Sequence, residues 1–248
     1  IDHVPVPVAR LLNRGYAHRL AQQIDAERAT PSPVLPDPPP GGRDTTHFSV
    51  LDAEGNRGAA TLSVDCPFGS GFVAAGTGVL LNDEMDDFSA KPGSANAYGL
   101  VGNHANAIAP GKRMLSSMSP TFLEGPDRVA ILGTPGGSRI ISMVLLGLLD
   151  AIDGRPVGDW VARGRFHHQY MPDRVEVEPG SLDDEVMEAL RQKGHRIRQL
   201  EDPYGNMHAI SWDLNSGEVT AASDPRGLGR SVVAPAMIVP GQRWQDGQ

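Results

Sequence analysis

Arg43-Asp44-Thr45-Thr46-His47-Phe48-Ser49-Val50 divides the chain. Before it, residues 30–44 hold Pro31, Pro33, Pro36, Pro38, Pro39, Pro40, Gly41 and Gly42, which support neither a helix nor a ladder and read as an extended linker. After it, a strand-like run of β-branched and aromatic residues begins. A break between Asp44 and Thr45 would create an N-terminal threonine with both a hydroxyl and a free amine. A hydroxyl needs a base before it attacks a carbonyl, and an α-amine with a pKa near ~8 can be that base. A Thr-Thr pair opening a strand is also ordinary sheet composition, so its chemical meaning depends on the rest of the chain.

Working outward, Val8, Leu11, Leu12, Tyr16, Leu20 and Ile24 space an amphipathic helix over residues 5–25. Thr46 to Leu51 and Ala59 to Val64 flank the turn-rich Asp52-Ala53-Glu54-Gly55-Asn56, a hairpin pattern. A short strand is expected at Gly78 to Leu81. Residues 92–110 form a long Gly/Ala/Asn loop holding Tyr98, a lid candidate. Val129 to Leu132 reads as a buried strand, Gly133 to Ser138 as a glycine turn, and Arg139 to Ile152 as an apolar helix. A second helix is expected at Pro156 to Arg163 and a strand at Arg174 to Val177. Leu182 to Lys193 reads as a helix, with Ser181 and Asp184 as a capping box and Gly194 as its stop. A last hairpin joins His208 to Asp213 with Val219 to Ala222. Mixed strands and helices with hairpins at both ends predict an α+β or layered sandwich fold.

The 248 residues, 40% of them hydrophobic, suffice for one large domain or two small ones. The longest apolar stretch, Ile140 to Leu149, is too short to span a bilayer and is broken by Ser142 and Gly147. The formal net charge of −8 with dispersed basic residues argues against nucleic acid as a partner. The single cysteine, Cys66, excludes an internal disulfide and a cysteine-rich zinc site. His167 and His168 are adjacent and would point apart, so no catalytic metal and no cofactor is expected. The chain opens on Ile1 with no basic-then-apolar leader, which reads as a fragment or a processed product.

Four stretches in order and spacing resemble the small subunit of γ-glutamyltranspeptidases: residues 45–50, residues 80–88 (LLNDEMDDF), residues 110–120 (PGKRMLSSMSP) and residues 135–139 (PGGSR). The similarity runs on through residues 165–169 to Arg226. Residues 1–44 resemble the tail of the large subunit, which leaves 45–248 as the small-subunit catalytic domain. The resemblance implies an N-terminal nucleophile hydrolase of αββα architecture, made as a precursor that cleaves itself before the catalytic threonine. Thr45 matches that threonine. It also implies γ-glutamyl transfer from glutathione and related amides to water or to an amino acid or peptide amine.

Further roles follow by the same resemblance. Gly136 and Gly137 match the oxyanion pair, and backbone amides in a turn at a helix N-terminus suit that task. A γ-glutamyl donor presents an α-ammonium and an α-carboxylate. Glu84 and Asp87 match residues that hold the first, and Ser116 and Ser117 match those on the second. Ser63 stands where many members have a threonine bonded to the nucleophile, and Asp65 where many have asparagine. Asp65 adds negative charge that favours an ammonium but raises neighbouring carboxylate pKa values. Tyr98 matches a tyrosine that closes over substrate in some bacterial members. The arginine that clamps the donor carboxylate belongs to the large subunit, upstream of Ile1. Two readings compete: a glutaryl-type acylase of the same superfamily, and a silent fragment that lacks the large subunit and self-associates. Bacterial relatives are commonly periplasmic or secreted.

Overall fold

The computed structural model describes residues 4–32, 45–96 and 99–235. Asp44, the linker from residue 33 onward and Tyr98 lie outside the described residues. Strands β1 (Thr45–Leu51) and β2 (Arg57–Ser63) form the expected hairpin, pairing Thr45 with Ser63. A four-stranded sheet has the order β3 (Thr121–Glu124), β4 (Arg128–Gly133), β8 (His208–Asp213), β9 (Val219–Ser223), all antiparallel. Helices α3 (Ile140–Ile152) and α4 (Val157–Ala162) cover one face of this sheet, and the hairpin covers the other.

The period of two in β4 builds both interfaces. Ala130 and Leu132 join Ile140, Met143, Val144, Trp160, Val161 and Met207 on the helical side. Val129 and Ile131 join Ile210, Leu51 and Trp212 on the hairpin side. Burial on both faces is why the strand reads as an unbroken apolar run rather than an alternating one. Truncating Leu132 would cost about 2–5 kcal/mol. Gly147 lets α3 approach closely, since a Cβ there would lie 2.9 Å from Leu132 Cδ1.

A second sheet holds β5 (Phe166–Gln169), β6 (Arg174–Val177) and β7 (Ile197–Gln199), with α5 (Asp184–Gln192) crossing from β6 to its parallel neighbour β7. Met187 packs on Val175 and Val177. Arg165 and Arg226, with Glu178 and Asp224, tie this sheet to the end of the main one.

Several expectations are corrected. The helix over 5–25 is two short ones, α1 (Val8–Leu11) and α2 (Arg14–Ala21). Asn13 breaks it by capping α2, accepting from the Tyr16 amide at 2.9 Å. Gly78 to Leu81 makes only an isolated bridge between Leu80 and Val73. Ser181 does not cap α5: its hydroxyl donates to the carbonyls of Arg165 and Glu178 at 2.9 and 2.8 Å. Strands β3, β5 and β7, of three or four residues each, have no strand pattern in the sequence. Gly194 does stop α5, at φ +94.

Candidate active site

The hairpin, a helical turn, a serine segment and the glycine turn converge on one cleft. Its lining includes Thr45, Ser63, Asp65, Glu84, Asp87, Ser116, Ser117, Gly137 and Ser138. Thr45 opens β1 and Ser63 closes β2, so antiparallel pairing sets them side by side. The Thr45 hydroxyl donates to Ser63 Oγ at 2.9 Å, and Ser63 Oγ also accepts from the Asp65 amide at 2.8 Å.

Asp65 has a left-handed φ of +69 and is 4% exposed. The turn at Glu84–Asp87 is laced to its loop: Asp83 accepts from the Cys66 amide at 3.1 Å through Oδ1. The reactive oxygens of Asp65, Glu84 and Asp87 lie within 4.8 Å of one another. Burial, then the charges of Asp83, Glu84 and Asp86, push the Asp65 carboxyl up to about 6. Burial, then the charges of Asp65, Glu84, Asp86 and Asp83, push the Asp87 carboxyl up to about 7. Three carboxylates so close repel one another, and a cationic group bound among them would relieve that repulsion. Cys66 is a poor nucleophile, because burial and the charges of Asp65 and Asp83 push its thiol up to about 12.

Asn106 holds the acidic turn against the serine segment. Its Nδ2 donates to the Asp87 carbonyl at 2.7 Å, and its Oδ1 accepts from the Leu115 amide at 3.2 Å. That leaves Ser116 exposed and Ser117 half-buried at the rim, facing the acids across the cleft. On the remaining side, the turn after β4 carries Gly136 at φ +141, where a Cβ would lie 2.5 Å from Met143 Cε. Only glycine fits there. Gly137 lines the cleft, whereas Gly136 stands one residue behind it. Asn106 escaped the sequence reading because its task is backbone bonding, for which a loop asparagine gives no distinguishing pattern. Ser138 lies within residues 135–139, yet only the fold shows that it reaches the cleft.

The family description Gamma-glutamyltranspeptidase matches residues 1–234. Glutathione hydrolase proenzyme of Escherichia coli (strain K12) is 44% identical over 232 residues, covering 92% of this chain and 40% of the relative. The chain thus spans about two-fifths of that relative's length. A solved γ-glutamyltranspeptidase from Pseudomonas nitroreducens, complexed with L-DON, superposes with a TM-score of 0.71 at 44% identity, covering 77% of this chain and all of that one. A cephalosporin acylase from Bacillus halodurans shares the fold alone: TM-score 0.69 at 24% identity, over 91% of this chain and 39% of that one. The fold class is therefore α+β, of the N-terminal nucleophile hydrolase kind, and the hairpin, sheet and helix layers are this chain's share of the αββα sandwich.

Proposed function

The chain belongs to the γ-glutamyltranspeptidase family, and we propose that, together with the rest of its precursor, it transfers or hydrolyses γ-glutamyl groups of glutathione and related amides through an ester on Thr45. The observation that carries this reading is the single cleft in which a strand-opening threonine meets three close carboxylates, two serines and a glycine turn.

In the precursor, Thr45 Oγ attacks the Asp44 carbonyl, its proton passes to the departing Thr45 nitrogen, and water opens the resulting ester. The freed amine then takes the Oγ proton as Thr45 attacks a γ-glutamyl carbonyl, and returns it to the leaving amine. Ser63 orients the hydroxyl through the 2.9 Å bond. The amides of Gly136 and Gly137 stabilise the tetrahedral oxyanion. Glu84, Asp87 and Asp65 hold the donor's α-ammonium, and Ser116 and Ser117 donate to its α-carboxylate. Water or an amino acid or peptide amine then resolves the ester. No cofactor takes part in this scheme.

Residues 1–44 are proposed to be the large-subunit tail, and 45–248 the small subunit. The large subunit would supply an arginine for the donor carboxylate and cover the apolar stripe of Ile141, Leu145, Leu149 and Ile152, exposed along α3. Tyr98 would close over the substrate. Among the described residues no helix is long and apolar enough to cross a membrane, and a periplasmic or secreted location is proposed from the resemblance.

Intact mass and a chromogenic anilide test the reading. Cleavage gives pieces of 44 and 204 residues, a Thr45→Ala variant stays whole, and the processed full-length protein releases p-nitroaniline from γ-glutamyl-p-nitroanilide. Faster release of glutaryl than of γ-glutamyl groups would instead favour the acylase that shares this fold. A normal anilide rate from the 248-residue chain alone would remove the need for the large-subunit arginine, whereas a chain that never cleaves or turns over would be a silent fragment.

A further inference from the structure

Ser138 follows directly on the glycine turn and lines the cleft. Behind it runs a chain of hydrogen bonds whose direction is fixed at every link. Gln169 Nε2 donates to the Met171 carbonyl at 2.8 Å, which orients the amide and leaves Oε1 as the acceptor. Oε1 receives the Ser138 hydroxyl at 2.7 Å and His167 Nε2 at 2.9 Å. An amide oxygen can only accept, so His167 carries a proton on Nε2, and burial, which lowers the pKa of the imidazole, keeps Nδ1 unprotonated. Its Nδ1 then accepts from the Ser142 hydroxyl at 2.8 Å, on the first turn of α3. His167 is 5% exposed. One residue past Ser138, Arg139 binds the Glu176 carboxylate from Nε at 3.0 Å and stacks 4.8 Å from the Tyr204 ring centroid. Glu176 pairs with His167 across β5 and β6.

We infer that Gln169, His167 and Ser142 are positioning residues, which fix the Gly136-Gly137 turn by tying Ser138 to β5 and α3. The inference rests on the role proposed for that turn. A flexible glycine pair has little hold on its own amide directions, whereas an oxyanion needs donors placed to within a fraction of an ångström. The β5–β6 pair supplies the hold at two consecutive residues, Ser138 and Arg139. His167 therefore serves in its neutral form as a spacer with one donor and one acceptor, and neither ligates a metal nor transfers a proton.

The test uses the full-length, processed protein and γ-glutamyl-p-nitroanilide, with rates expressed per cleaved active site. Gln169→Leu removes the shared acceptor without entering the donor's contacts. Its kcat is expected to fall about tenfold to a hundredfold, less than the loss from deleting an oxyanion donor outright, with KM within twofold. Ser138→Ala should fall in the same direction, and Ser138→Thr, which keeps the hydroxyl, should recover most of the rate. A folded Gln169→Leu protein with kcat within twofold of wild type, or with a loss confined to KM, overturns the inference. Where Gln169→Leu does not fold, Ser138→Ala and Ser138→Thr decide: equal rates in these two overturn it. An inactive wild type would refute the proposed reaction instead, so the two failures are distinguishable.

Discussion

Two buried groups of charges answer the same physical problem in opposite ways. At the seam between the four-stranded and three-stranded sheets, Arg165 and Arg226 face Asp224 and Glu178, two charges of each sign. Arg165 and Asp224 are almost fully buried, and the remaining guanidinium bonds of Arg165 go to the carbonyls of Tyr204 and Val161. Burial alone would raise the Asp224 carboxyl, but Arg165 and the amides of Met207 and Arg226 hold it below the usual carboxylate range. In the cleft, Asp65, Glu84 and Asp87 crowd together with Asp83 and Asp86, and the Asp65 and Asp87 carboxyls are driven upward. A cluster with charges of both signs holds structure together; a crowd of like charges favours a cationic ligand bound among them.

The largest effect should come from breaking the compensated cluster. Arg165→Ala leaves Asp224 buried without its principal partner, and a loss of about 3–5 kcal/mol of stability is expected. Denaturant unfolding of the full-length protein reads it directly, and a loss under about 1 kcal/mol would mean that Arg226 alone can satisfy both acids.

The converse change in the cleft should have the opposite sign on stability. Asp87→Asn removes one member of the acidic group, so the thermal midpoint at neutral pH should rise. The same variant weakens the proposed hold on the donor's ammonium, lowering kcat/KM about tenfold to a hundredfold, the loss of one charge-assisted hydrogen bond of roughly 1.5–3 kcal/mol. Activity and stability falling together would show that Asp87 is structural, like Asp224.

The two clusters also differ in how far they can be read from the sequence. The four acids of residues 83–87 fall within five positions, and with Thr45, Ser116, Ser117 and the glycine pair they form stretches that carry a resemblance as strings of letters. Their convergence in one cleft follows from the hairpin register and the turn after β4, both of which have clear local signals. Arg165, Glu178, Asp224 and Arg226 are scattered over more than fifty residues, and no local period links them. The same holds for Asn106 and for Gln169 with Ser138, whose contacts are made across long separations. The strands β3, β5 and β7 escaped because three or four residues are too few to establish a period of two. The broken first helix escaped because Asn13 acts as a cap in the middle of an apolar pattern, where tertiary context is lacking: neither α1 nor α2 buries a residue.

The finest comparison comes from Asp65, which sits at a left-handed φ of +69 that asparagine also adopts readily. Asp65→Asn should therefore be neutral for the backbone and act through charge alone. A carboxyl raised from 3.8 to about 6 binds more protons folded than unfolded, so it lowers stability progressively as pH rises through that window. Replacing it should leave stability unchanged near pH 4 and raise it at pH 8 by about 1–2 kcal/mol, allowing for partial solvent screening. The variant also removes one of the charges that raise Asp87, so Asp87 would ionise at lower pH. Where ionised Asp87 is needed to bind the donor, the acid limb of kcat/KM should move down by less than about one pH unit. An acid limb that stays in place while the stability gain appears would assign that limb to another group, of which the freed Thr45 amine is the nearest candidate.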